Sequence, residues 1–105
     1  MSRSSKRLEF LQKVTASGDD PFAWYGLAME YRALSRHDDA LATFEALRTR
    51  APEYVPMYLM CGQMLEKMGR IEDARAWLSD GVEAAHKKGD AHAAGELEGA
   101  LAALD

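Results

Sequence analysis

The chain has 105 residues, of which 48% are hydrophobic and 29% are charged, a balance typical of one globular domain and not of a disordered chain. Its single cysteine excludes an intramolecular disulfide, and no stretch approaches the ~18 apolar residues that a membrane span needs. The net charge of -4 comes from residues 89–105, which hold four carboxylates and no lysine or arginine, so a basic surface for nucleic acid is not expected. The opening residues lack the apolar run of a signal peptide, and we expect a cytoplasmic protein.

Helix starts and breaks divide the chain into six predicted helices. The run Gly18-Asp19-Asp20-Pro21 ends the first helix and begins the second, with an aspartate as cap and a proline in the first turn. The later breaks are Ser35, the Pro52–Pro56 link, Gly69 and Gly89. No segment has the alternating pattern of a strand. The predicted helices cover residues 4–16, 21–34, 38–50, 55–68, 72–88 and 90–104.

A pattern of large and small residues recurs with a period of 34 residues. Its first copy is Trp24, Leu27, Ala28, Tyr31, Ala40, Phe44 and Pro52. Its second copy is Tyr58, Cys61, Gly62, Leu65, Ala74 and Leu78, with His86 in the proline position. The small residues let a neighbouring helix approach, and Phe44 and Leu78 are expected to fill the space behind them. The face that begins with Trp24 is therefore expected to pack within its own helix pair.

This spacing, W-x2-L-A-x2-Y followed by A-x3-F and then P, resembles the tetratricopeptide repeat (TPR) family over residues 21–88. The resemblance implies an all-α fold, a right-handed superhelical stack of antiparallel helix hairpins with about six helices. We expect one domain with four parts, and the last helix is expected to cover the end of the stack. The parts are an N-terminal half-repeat helix (4–16), repeat 1 (21–54), repeat 2 (55–88) and a C-terminal capping helix (90–104).

The flanking helices carry apolar stripes of their own. Leu8, Leu11 and Val14 have the spacing of Leu41, Phe44 and Leu47, so the first helix resembles the second helix of an incomplete repeat. The stripe of the last helix is Ala94, Leu97, Leu101 and Leu104. A helix with one apolar face at either end is how repeat stacks cover their terminal surfaces.

A second row of side chains runs along the first helix of each repeat, displaced around the helix axis from the packing face. Ten of the fourteen residues 21–34 are apolar, so this helix is apolar on more than one side. Leu59 and Gln63 continue the row in repeat 2, with Met60 and Met64 alongside. In the family that the chain resembles, this row lines the concave groove that binds peptides or helices. The predicted partner-binding residues are Phe22, Tyr25, Met29, Arg32, Leu59, Gln63 and Glu66.

The chemistry of this row favours an apolar or amphipathic protein segment as the ligand. A known branch of the family holds a C-terminal carboxylate with lysine, asparagine and arginine, whereas here only Gln63 offers an amide. The predicted function is therefore that of an adaptor or scaffold. The alternative is a self-associating module whose groove or C-terminal helix forms a homodimer interface. A third reading makes the row part of the core between repeats.

The sequence predicts no catalytic site, metal site or cofactor. His86, Asp90, His92 and Glu96 come nearest to a set of metal ligands, but no further histidine or cysteine joins them at a zinc-like spacing. Cys61 takes a small-residue position of the repeat core, which indicates a buried, inert thiol. We therefore expect a binding protein and not an enzyme.

Overall fold

The computed structural model describes residues 3–104, and within that range every regular element is an α-helix. The helices begin and end within two residues of the predicted bounds, so the all-α prediction is confirmed. They are α1 (Lys6–Ala16), α2 (Pro21–Ala33), α3 (His37–Arg50), α4 (Pro56–Lys67), α5 (Ile71–Lys88) and α6 (Ala91–Ala102). The chain divides into two compact units, one that ends at Ala51 and one that begins at Pro52.

Caps and prolines explain where most of these helices begin. The hydroxyl of Ser5 and the carboxylates of Asp20 and Asp90 each accept a hydrogen bond from a backbone N–H in the first turn of α1, α2 and α6. Such caps satisfy donors that the first turn leaves without a helical partner. Pro21 and Pro56 stand at the start of α2 and α4, where the missing N–H costs nothing.

The turn between the two helices of a pair occurs twice with the same hydrogen bonds. Ser35 and Gly69 both have a left-handed backbone, with φ angles of 59° and 81°. The arginine after each donates its backbone N–H to a carbonyl of the preceding helix at 2.9 Å. Its guanidinium then donates to the aspartate three residues further on, also at 2.9 Å. The side-chain pairs are Arg36–Asp39 and Arg70–Asp73.

The first unit is built around α2, which packs against both α1 and α3. Leu27 joins Leu8 and Leu11 of α1 in one buried cluster, with the side chain of Tyr31 against it. Phe44 of α3 is fully buried. The core of this unit therefore includes Leu8 and Leu11 of the predicted apolar stripe of α1 and the large residue of the repeat pattern, whereas Val14 of the stripe is half-buried.

In the second unit, α5 packs against α4 and α6, and α6 also contacts α4. A Cβ atom on Gly62 would lie 2.6 Å from Cδ2 of Leu78, so the Leu78 side chain fills the space that the glycine leaves. This is the predicted contact between a small residue and the large residue behind it. In α6, Leu97 is buried, whereas Leu101 and Leu104 are half-buried.

Trp77 is a core residue that the repeat pattern did not identify. Its ring centroid lies 5.9 Å from that of Tyr58, at an interplanar angle of 50°. The Tyr58 hydroxyl donates to the carbonyl of Pro52, which satisfies its polar end. The counterpart of Trp77 one period earlier is Thr43, which is also buried. Because these two residues differ in size, comparing the repeats did not reveal the shared position.

Trp24, which was expected to pack within its own helix pair, does contact α3 but is not part of the buried core. Its ring is half-buried, and its Nε1 donates to the carbonyl of Gly18 at 3.1 Å. The Arg50 guanidinium lies over the ring, 4.1 Å from the centroid, and its Nε donates to Asp19 Oδ1 at 3.3 Å. Trp24 therefore closes the edge of the first unit, with one ring face toward a cation.

Candidate functional site

The proposed row on α2 consists of Phe22, Tyr25, Met29 and Arg32, at positions i, i+3, i+7 and i+10 of one helix face. Phe22 is 71% exposed. The other three are half-buried. Leu27 and Ala28, on the packing face of the same helix, are buried. Helix α2 thus buries one face and leaves a second, mainly apolar one accessible.

The proposed row on α4 consists of Leu59, Gln63 and Glu66. Leu59 and Gln63 are half-buried and Glu66 is exposed. Cys61 and Leu65, between these positions, are fully buried. Helix α4 therefore has the same two-sided character as α2, with an amide in the middle of its accessible row.

The two methionines placed beside this row have different environments. Met60 is half-buried, as expected for a side chain at the edge of the row. Met64 is 2% exposed and belongs to the core of the second unit, so its placement beside the row was wrong. The side chain that follows it at the surface is Glu66, which leaves the end of the α4 row charged.

Each row, taken by itself, offers contact area and ends in a charge. Phe22, Tyr25, Met29 and Leu59 offer apolar surface, and the amide of Gln63 can donate and accept hydrogen bonds. Arg32 comes last in the α2 row and Glu66 last in the α4 row, so each row ends in a charge. Aromatic and thioether side chains adapt to partners of varied shape.

Sequence reasoning missed Phe10, which is 65% exposed on α1. It lies off the apolar stripe of that helix, four residues after Lys6 and three before Lys13, both exposed. Its spacing from the stripe was the available clue, since it shares no helix face with Leu8 and Leu11. A second feature that was missed is a shallow cavity of about 380 Å³ between α5 and α6, lined by Arg75, Ser79, Glu98, Leu101 and Ala102.

The histidines near the C-terminus lie at the surface and pair with single carboxylates. His86 Nε2 is 3.9 Å from Glu98 Oε2, and His92 Nε2 is 3.5 Å from Glu96 Oε1. Across residues 3–104, no group of three or more histidine, cysteine or acidic side chains is placed to hold a metal ion. Cys61 is a fully buried thiol that takes part in no disulfide. Of the helices described in that range, none has the length and apolarity of a membrane span.

Comparison with known proteins gives a family match and several similar solved structures, among them three from Salinibacter ruber and Bordetella parapertussis. A tetratricopeptide repeat model matches residues 31–95. A crystal structure of a tetratricopeptide repeat domain protein from Salinibacter ruber is 34% identical, covers 81% of this chain and 94% of its own, and has a TM-score of 0.74. No curated protein matches the sequence.

Two solution structures resemble the chain to a similar extent. One is an NMR structure of a tetratricopeptide repeat domain protein from Salinibacter ruber, with 34% identity, coverage of 82% of this chain and 87% of its own, and a TM-score of 0.78. The other is a protein from Bordetella parapertussis, with 26% identity, coverage of 96% and 89%, and a TM-score of 0.80.

Proposed function

The chain belongs to the tetratricopeptide repeat family, whose domains are protein-interaction modules, and we propose on that premise that it is an adaptor for an apolar or amphipathic protein segment. The segment would bind along the accessible rows of α2 and α4. Phe22, Tyr25, Met29 and Leu59 would supply contact area, and Gln63 would fix the direction of the ligand.

The observation that carries this proposal is that none of the seven proposed residues is buried, although both helices are apolar on most sides. Apolar surface that folding leaves accessible is the usual basis of a binding surface. On α2 the buried positions, Leu27 and Ala28, are repeat-pattern residues. On α4 the buried positions are four repeat-pattern residues together with Met57 and Met64. Each helix therefore packs within its unit through its other face, and the row stays accessible.

The charges of the rows favour an apolar ligand over a free carboxylate. A carboxylate ligand needs converging cationic or amide donors, because desolvating a charge without them is costly. Arg32 is the one basic residue among the seven, and Gln63 is the one amide. We place Arg32 and Glu66 at the rim, where charges govern encounter and orientation more than affinity.

The test is a peptide-display selection against the immobilised full chain, followed by fluorescence-polarisation titration of the selected peptides. We expect peptides with two or more large apolar side chains. Tyr25→Ala combined with Leu59→Asp should weaken their binding about 30-fold or more, which corresponds to ~2 kcal/mol. Phe10→Ala is the control, since it removes an exposed aromatic ring outside the rows.

The double variant must keep the melting temperature of the parent for this result to count. Unfolding of the double variant would place Tyr25 and Leu59 in the core and contradict the proposal. Undiminished binding by a folded double variant would contradict it as well. Peptides selected only for a free acidic C-terminus would show a carboxylate site instead.

A further inference from the structure

Helix α1 has an accessible face opposite the one that packs on α2. Its packing face buries Leu8 and Leu11. Lys6, Phe10 and Lys13 stand at positions i, i+4 and i+7, so they share one helix face, and all three are exposed. The Phe10 ring lies between the two lysines along the helix and is 65% exposed. These three residues form what we call the α1 patch.

The two lysines of the α1 patch are not compensated by neighbouring carboxylates. Within residues 3–104, the ammonium groups of Lys6 and Lys13 form neither an ion pair nor a hydrogen bond. Other cations of the same region do find a partner: Arg7 Nε lies 3.3 Å from Glu30 Oε1, and Lys87 Nζ lies 3.2 Å from Glu83 Oε1. Folding therefore leaves two positive charges beside an exposed aromatic ring, a combination that suits a partner with acidic and apolar groups.

Glu9 limits the width of the α1 patch. It is exposed and stands about 100° around the helix from Phe10, on the same side as Lys13. Its carboxylate would repel a broad anionic surface laid over the helix. A narrow element that follows the single row from Lys6 to Lys13 avoids most of this repulsion, because exposed charges act over a short range in salt.

The spacing of the patch specifies the geometry of such an element. Seven residues separate Lys6 from Lys13, which corresponds to about 10 Å along the helix. A second helix with carboxylates at positions i and i+7 has the same spacing, and a large apolar residue at i+3 or i+4 would then meet Phe10. A helical partner also satisfies its own backbone hydrogen bonds, and α1 offers no sheet edge with which an extended chain could pair.

We propose that the α1 patch binds an acidic amphipathic helix of another protein. Two carboxylates of that helix face Lys6 and Lys13, and the apolar residue between them packs on the Phe10 ring. An anionic bilayer is a poorer match, because the whole chain has a net charge of -4 and Glu9 borders the patch. The proposal uses residues of α1 alone and does not rest on the binding rows of α2 and α4.

An NMR titration of the isotope-labelled full chain tests this contact residue by residue. The probe is an acetylated, amidated, alanine-rich peptide, helical by circular dichroism, with glutamates at i and i+7 and leucines at i+3 and i+4. We expect the amide signals of residues 6–13 to shift, with a dissociation constant between about 10 µM and about 1 mM at low salt that rises as salt is added. The same peptide with lysines for glutamates should leave these signals unmoved. No shift in α1 at about 1 mM acidic peptide would overturn the proposal.

Charge variants show whether the two lysines recognise the carboxylates. Lys6→Glu combined with Lys13→Glu should raise the dissociation constant at least about 10-fold and should instead bind the lysine peptide. Glu9→Gln should lower the constant about 2-fold, because it removes a repulsive charge. Lys67→Glu is the control, since this lysine is equally classed as exposed but lies outside α1. Unchanged affinity of a folded double variant would contradict the proposal.

Two further variants separate this site from the proposed ligand rows. Phe10→Ala should raise the dissociation constant for the acidic helix at least about 10-fold, as expected for a central aromatic. Tyr25→Ala combined with Leu59→Asp should leave it unchanged. The opposite pattern would place the acidic helix in the rows and make the α1 proposal wrong.

Two other occupants of the patch can be recognised directly. If the chain floats with phosphatidylserine-containing vesicles in a Phe10-dependent way and does not bind the acidic peptide, the patch is a lipid contact. If the α1 amide signals shift with protein concentration in the absence of peptide, a second copy of the chain covers the patch. Either result would overturn the proposal of a heterologous acidic helix.

Discussion

A Cβ atom on Gly81 would lie 2.5 Å from the Cβ of Tyr58, a distance that real Cβ atoms do not reach. The same atom would stand 2.8 Å from Cδ2 of Leu97. Gly81 is therefore where α5 touches α4 and α6 at once. The Tyr58 Cβ is attached to the backbone and cannot rotate away, so a larger residue at position 81 has to push the helices apart.

Gly81→Ala should accordingly destabilise the protein by about 2 kcal/mol or more, although alanine is the better helix former. Gly95→Ala is the matched control, because a Cβ there meets nothing within 4 Å. It should stabilise the protein by about 0.5–1 kcal/mol through helix propensity. Urea unfolding followed by circular dichroism measures both changes. Equal stabilities for the two variants would show that α4 and α6 do not press on Gly81.

The two equivalent turns, at Ser35 and at Gly69, lead to a second prediction. Ser35 holds the left-handed backbone that Gly69 holds one period later, and a residue with a Cβ pays for that conformation. Ser35→Gly should stabilise the protein by about 0.5–1 kcal/mol, and Gly69→Ser should destabilise it by about 1 kcal/mol. Thermal melts of both variants check the opposite signs. A loss of stability in Ser35→Gly would mean that the serine hydroxyl supports the turn.

The position of Trp24 lowers the expected cost of removing it. Truncating a fully buried tryptophan lowers the free energy of unfolding by about 3–5 kcal/mol. Because the Trp24 ring is only half-buried, we expect its truncation to lower that free energy by about 2 kcal/mol. The Arg50 guanidinium over the ring should add a coupling of about 0.5–1 kcal/mol. A double-mutant cycle of Trp24→Leu and Arg50→Ala measures that coupling. A coupling near zero would leave Arg50 with no part in holding the ring.

The thiol of Cys61 should be inert in the folded protein. It is fully buried in α4, and a reagent can reach it only after the second unit opens. We expect reaction with a chromogenic disulfide reagent to be slow in buffer and fast in urea above the unfolding midpoint. Cys61→Ser should destabilise the protein by about 1–2 kcal/mol, because it buries a hydroxyl. Rapid labelling under native conditions would contradict the buried placement.

The 34-residue pattern predicted several packing contacts and the helix ends correctly, but it did not predict that Trp24 is only half-buried. The contact of Gly62 with Leu78 follows from the 34-residue register, and the helix ends follow from caps and breaks. Trp77 was missed because its counterpart is the smaller Thr43. Phe10 was missed although its position off the α1 stripe indicated an exposed face, because only the apolar stripe of that helix was considered.

The candidate site also contains features that the sequence could indicate and features that it could not. The rows of α2 and α4 were proposed because their spacing differs from that of the packing face, and none of their seven residues is buried. Met64 was misplaced, since a helix that is apolar on most sides offers no contrast by which to assign a single methionine. Binding by these rows stays a prediction. The cavity beside Leu101 could not be predicted, because it depends on how α5 and α6 meet.

The exposed glycines of α6 have a consequence for the order in which the chain opens. Gly95 and Gly99 each lower the intrinsic stability of a twelve-residue helix by about 1 kcal/mol. A Cβ at either position would meet nothing within 4 Å, so neither glycine is needed for a close contact. Most of what holds α6 is therefore the burial of Ala94 and Leu97. Its amide protons should exchange with deuterated solvent before those in the middle of α5, through an opening that leaves α4 and α5 folded. In such an opening, the chain would expose the Gly81 face of α5 while remaining otherwise native.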